Sequence, residues 1–254
     1  MRNILAIAHK ELRSYFASPI AYIVIGFFAL LYGIFFVAIL DYFVRASMQA
    51  GLAGGAQAMN VNQQLVRPLL QNVAVVVLFM LPMVTMRTYA EEKRSGTIEL
   101  LLTSPITDFQ IVMGKFLGAM ALYCAMLAVT LFHLAVLYMY GRPEWKPIVT
   151  SYIGLLLFGG SFVALGLFVS SLSKNQIVAG AVTFALSLML WIITWLNFGG
   201  SAGDKVLGYL SIIDHLDDFS KGVIDTTHVI YYLSFITFGL FLTAKSVDSE
   251  RWRG

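Results

Sequence analysis

Residues 20–40 pass twenty-one positions without an Asp, Glu, Lys, Arg or His. A bilayer core of about 30 Å is crossed by roughly 20 apolar residues in a helix. In lipid, only a helix or a closed barrel satisfies its own backbone. The same reading recurs at 68–86, with Pro82 predicting a kink near its end, and at 112–140, 148–172, 177–197 and 229–244. With 59% of its 254 residues hydrophobic and 12% charged, the chain reads as an all-α polytopic membrane protein. The expected architecture is a single domain, 1–254, of six transmembrane helices.

The remaining charge is concentrated. Residues 87–115 hold Glu91, Glu92, Lys93, Arg94, Glu99, Asp108 and Lys115 between the second and third spans, so this island is expected to lie in water. Gly96 interrupts any helix there. Residues 97–103 are long enough for about two turns, with Ile98, Leu101 and Leu102 predicted to cover one face. Pro105 ends that helix by pushing its predecessor out of the α region. Thr107 and Gln110 have capping-box spacing, and Ile106 and Ile111 stand where a hydrophobic staple would form. A short helix with an apolar knob suits docking in a groove on a soluble partner. It equally suits an interfacial helix lying on lipid headgroups.

Residues 1–18 read as an amphipathic helix in the membrane plane. Ile4, Leu5, Ala8, Leu12, Tyr15 and Phe16 are assigned to one side, and Arg2, Lys10, Glu11 and Arg13 mostly to the other. The apolar run that follows is too long for a cleavable signal peptide. Residues 41–66, rich in Gly, Asn and Gln, read as a flexible outer loop. The outer segment 198–228 is expected to hold short helices that lie in the outer interface or dip into the membrane. In it Ile212, Leu216, Phe219 and Val223 mark an apolar face, Asp214, Asp217, Asp218 and Lys221 a polar one. Gly222 can end that helix and Asp225 can cap the next. Six spans place both termini on one side. With that side cytoplasmic, eleven Lys and Arg face inward and six outward, as the positive-inside rule prefers.

The run from Glu91 to Ile106, Glu-Glu-Lys-Arg-Ser-Gly-Thr-Ile-Glu-Leu-Leu-Leu-Thr-Ser-Pro-Ile, followed by Gly114-Lys115, resembles the signature cytoplasmic loop of ABC-2-type permeases. These are membrane subunits of ATP-driven exporters. The resemblance implies that the loop carries a coupling helix seated in a cleft of a separate ATPase. Glu91, Glu92, Gly96, Thr97, Ile98, Glu99, Leu101, Leu102, Ser104 and Pro105 would form that interface. It also implies that the N-terminal helix, through Lys10, Glu11 and Arg13, touches the ATPase. Near the C-terminus, the stretch from His215 to Asp225, Tyr231-Tyr-Leu, and the stretch from Thr243 to Trp252 resemble one subgroup. That subgroup contains the gliding-motility-type permeases and those of the nitrous-oxide-reductase maturation transporter. The resemblance further implies a bacterial inner-membrane location, a second permease subunit (homodimer or heterodimer), and re-entrant outer helices over the path. An extracytoplasmic auxiliary protein fits the subgroup.

Several chemistries are not expected. Phe109 stands where a phosphate loop ending in Gly114-Lys115 would need its first glycine, so ATP and Mg would be bound by the partner. The lone Cys124 permits no intrachain disulfide or cysteine metal cluster. No charge pattern suggests nucleic acid. His215 with Asp214, Asp217 and Asp218 reads as a metal site or as a solvated helix face, the latter preferred. His133 reads as a helix-contact residue. Span interiors otherwise lack ionisable groups, which disfavours an ion-coupled transporter. Phe27, Phe28, Tyr32, Phe35 and Phe36 would line a path for amphipathic or lipid-like cargo, or face lipid or the dimer partner. The alternative to export is force transmission or assembly through an outer partner.

Overall fold

The structure, a computed structural model, describes residues 2–52, 60–141, 143–195 and 208–251. The described residues are mostly helical and form no strand. α1 is Arg2–Ala17 and α2 Ile20–Leu52. A π-helical turn, Asn62–Val66, opens α3, Arg67–Thr85, which continues through Met86 into α4, Arg87–Ser95. α5 is Ile98–Leu102, α6 Asp108–Tyr140, α7 Trp145–Leu172 and α8 Gln176–Ile192. α9, Asp214–Ser220, precedes α10, Thr226–Arg251.

Five rods are long and apolar enough to cross a membrane: α2, the joined 62–95 stretch, α6, α7 and α10. The sixth expected span, α8, stops after 17 residues, about 26 Å of rise. It tightens into a 3₁₀ turn at Ile193–Trp195, where consecutive β-branched residues are weak helix formers. α2 exceeds its expected length. Residues 41–52 continue the helix instead of opening a loop, with no Gly or Pro before Gly51 and an Arg45–Asp41 pair at 2.8 Å one turn apart. Residues 53–59 and 198–207 of the expected outer loops, and Trp252 in the tail, lie outside the described residues.

α7 is the centre of the bundle. Of its apolar window 72% is buried, against 17% for α2 and 22% for α10. Its glycines admit neighbours closely. A Cβ at Gly159 would stand 2.2 Å from the Tyr123 ring, and one at Gly166 2.0 Å from Thr85 Oγ1. The break in the 62–95 rod falls at Met86, four residues beyond Pro82. There Ser170 of α7 inserts its hydroxyl, accepting from the Tyr89 and Ala90 amides at 3.1 and 3.2 Å and donating to Met86 O at 2.9 Å. A hydroxyl replacing an i→i−4 bond is a recognised cause of a helix break.

Candidate functional site

The charged island lies at the end of the bundle shared by α1 and the end of α10. Local chemistry builds it largely as expected. Gly96 ends α4 with φ 74°, in the left-handed region. The Thr107 hydroxyl accepts from the Gln110 amide at 3.3 Å, and the Gln110 side chain accepts from the Thr107 amide at 3.5 Å, closing the capping box. Ile111 is fully buried beneath it.

α5 faces differently from the expected knob. Ile98 is 7% exposed and belongs to the protein's own core, and Leu101 packs against that core. The outward apolar residue is Leu100, 72% exposed, flanked by exposed Glu99 and Thr103. Ile98 and Leu101 do share a face, but in a five-residue helix joined closely at both ends that face turns inward. The Leu102 side chain lies outside the described residues. Glu91, Gly96, Thr97 and Pro105 are exposed, whereas Glu92 and Ser104 are half-buried.

α1 does more than lie on the membrane. Its buried residues are Ile7, Glu11 and Tyr15, while Leu5, assigned to the apolar side, is exposed. It packs on α6 over Gly114 and Gly118, where an added Cβ would come within 2.6 Å of Ile7 Cβ and 2.7 Å of Glu11 Cβ. The Gly-x-x-x-Gly spacing thus receives the N-terminal helix. Lys10 and Arg13 are exposed.

Lys115, expected in water, is 1% exposed. Its ammonium lies 3.0 Å from Glu11 Oε1 and 2.9 Å from Glu92 Oε2, and donates to Thr88 O at 2.9 Å. It also sits 4.8 Å from the centre of the Tyr89 ring. Lys10 reaches the other Glu92 oxygen at 3.2 Å. Burial disfavours the Lys10 ammonium, but the carboxylates of Glu92 and Glu11 outweigh it and raise its pKa. One cation thereby joins α1, α4 and α6. Opposite, Lys93 pairs with Glu250 at 2.5 Å and Arg251 with Asp108 at 2.9 Å, tying the end of α10 to both sides of the loop. Neither Lys115 nor these α10 contacts could be found from local spacing.

The far end carries the cap. Ile212, Leu216 and Phe219 are buried as expected, but Val223 is 52% exposed, because Gly222 turns the chain away at φ 90°. Asp225 accepts from the Thr227 amide at 2.7 Å, capping α10. Arg67 of α3 holds Asp217, with Gln71 adding a bond at 3.0 Å. Thr150 of α7 donates to Phe219 O at 2.8 Å. His215, expected on a solvated face, is instead 5% exposed. Among the described residues no group of three or more His, Cys, Asp or Glu is placed to hold a metal ion.

Between α2, α3 and α8 runs an apolar groove of about 760 Å³, lined by Phe27, Phe35, Phe79, Met83, Ile177 and Phe184 among others. Of the aromatics assigned to a path, Phe27 and Phe35 border it. Phe28 and Tyr32 are fully buried and stack on each other at 6.1 Å, Tyr32 meeting His133 edge-on at 5.0 Å.

The family model described as ABC-2 family transporter protein matches residues 5–244. Two curated relatives, each named probable multidrug ABC transporter permease YbhR, come from Escherichia coli strain K12 and Escherichia coli O157:H7. Each is 28% identical over 131 residues, covering 45% of this chain and 35% of the relative. The chain therefore spans about a third of the length of the curated relatives it matches.

Proposed function

The chain belongs to the ABC-2 family of transporter proteins, and on that premise we propose that it is the permease of an ATP-driven exporter whose motor is a separate ATPase. The observation that carries this reading is α5. A buried Ile98 anchors it, and Leu100 projects outward at 72% exposure from a loop braced by the Lys115 network. An exposed apolar side chain on a braced helix suits insertion into a partner's groove. In this reading the island faces the cytoplasm, as do both ends of the chain, in the inner membrane of a bacterium. Glu91, Glu92, Gly96, Thr97, Glu99, Ser104 and Pro105 frame the contact, Lys10 and Arg13 add to it from α1, and Ile98 and Leu101 support it from within. ATP and Mg belong to the motor. A second permease, identical or related, completes the path, with lipid around both.

The cargo in this reading is amphipathic or lipid-like, since the groove between α2, α3 and α8 is walled almost wholly by apolar side chains. A second use of the same machine is force transmission to an extracytoplasmic partner. The joined α3 and α4 favour it, reaching from Glu92 at the island to Arg67 at the cap. ATP hydrolysis stimulated by that partner without flux distinguishes it from export.

The test is affinity capture from membranes. Leu100→Asp is expected to lose most of the co-purifying ATPase, with thermal unfolding of the permease unchanged. Wild-type recovery of ATPase with Leu100→Asp overturns the docking assignment. Ile98→Asp serves as contrast, because it buries a charge and lowers stability itself.

A further inference from the structure

The cap holds a cluster of titratable groups that the transporter reading leaves unused. His215 of α9 stacks on Tyr231 of α10 at 3.9 Å and 19°. Its Nε2 lies 3.0 Å from Tyr209 O, an acceptor, so that nitrogen carries a proton. His228 Nε2 lies 2.9 Å from Asp218 Oδ2 and carries one too. The two Nδ1 atoms are 2.6 Å apart, a hydrogen bond only if a single proton lies between them. Three ring protons on two imidazoles leave one positive charge, placed opposite the Asp218 carboxylate.

We propose that His215, His228 and Asp218 form a proton-set latch that fastens α9 to the start of α10, closing the far mouth near neutral pH and releasing it in acid. A fourth ring proton would set two N–H groups against each other at 2.6 Å and add a second positive charge. Release would widen the recess of about 390 Å³ that Leu216 and Asp217 border with Pro68, Gln71 and Trp191.

Of the side chains gathered here, only histidine has an ordinary pKa between 5 and 8. Besides Asp218, α9 presents Asp214 and Asp217. Lys221 pairs with Asp217 at 2.7 Å and Asp218 at 2.8 Å, and Arg67 of α3 also holds Asp217. α10 presents Asp225 at its start, Tyr231, and Tyr232, whose hydroxyl donates to Ile212 O at 2.7 Å. α7 meets α9 through Thr150, Ser151 and Gly154. Burial raises the Asp217 pKa, but its bonds to Lys221 and Arg67 bring the net below the usual carboxylate value. Bonds to Lys221 and His228 do the same for Asp218, so both stay ionised through this window. Burial lowers the His215 pKa from its ordinary 6.5, and the charge on His228 acts in the same direction. The opened cap therefore takes up its proton first. Closure is firmest near pH 6.5 and weakens as pH falls below that, until the depressed pKa of the closed state is passed. It weakens again above pH 6.5, where the opened imidazoles hold one proton fewer than the closed pair.

Hydrogen exchange on the full chain in nanodiscs, corrected for the intrinsic pH effect, tests the latch. Protection of 214–220 relative to α7 is expected to fall by up to tenfold per pH unit below about 6.5. His215→Gln and His228→Gln are expected to flatten that dependence. Flat wild-type protection from pH 7.5 to 5.5, or an unchanged slope in both variants, overturns the proposal. Should the variants misfold, ring-nitrogen NMR of ¹⁵N-histidine wild type decides. One proton shared between two Nδ1 atoms supports the latch, and two independently titrating rings sink it. No motor or cargo is present, so either result leaves the Leu100→Asp test untouched.

Discussion

Lys115 shows how far a single side chain can depart from what its neighbours in sequence announce. It belongs to a charged island and yet is buried, held by Glu11 and Glu92. Removing one member of a buried ion group leaves the others uncompensated, at about 3–5 kcal/mol. Lys115→Met is expected to lower the thermal stability of the purified chain by about that amount, read by unfolding in detergent. Adding Glu11→Gln to it is expected to recover part of the loss. The burial was not legible because the first carboxylate lies 104 positions away, and a spacing rule reaches only a turn or two. The Thr107–Gln110 box and the helix break at Gly96 were legible, because both are settled within four residues.

At the scale of elements, α1 was recognisable as amphipathic but its buried face was not. The side it hides is chosen by the Gly114–Gly118 recess on α6, which admits Ile7 and Glu11, and a charged residue would ordinarily be assigned to water. Gly114→Leu is expected to lift α1 from α6 at about 1–3 kcal/mol. Faster amide exchange over Arg2–Ala17, with the core of α7 unchanged, would show it. Ser170 marks a second such joint. Its hydroxyl satisfies two amides and a carbonyl where α3 passes into α4. Ser170→Ala leaves them short of partners, at about 1–3 kcal/mol, and is expected to raise exchange at residues 86–90 first.

In the whole molecule, the 34-residue stretch Asn62–Ser95 spans about 50 Å and is tied at both ends, to Asp217 in the cap and to Lys115 at the island. The rod that adjoins α5 therefore also touches α9. Nucleotide added to the assembled complex is expected to change exchange in Asp214–Ser220, and Leu100→Asp to abolish that change. Apolar run length revealed the bundle and its alternation, since lipid demands twenty-odd apolar residues whatever their neighbours. It could not reveal that α8 ends early or that the cap closes over two histidines, because both depend on partners brought together only by folding.

The triad around Lys115 also bears on how the chain is made. Glu11 and Glu92 both leave the ribosome before Lys115 does, and α1 and α4 are already synthesised when α6 emerges. Both counterions of the lysine therefore precede it in synthesis and are available to it when the third span is inserted. A chain stripped of its first helix would enter the translocon with that charge half answered, and its failure would begin during biogenesis, before any cycle of work.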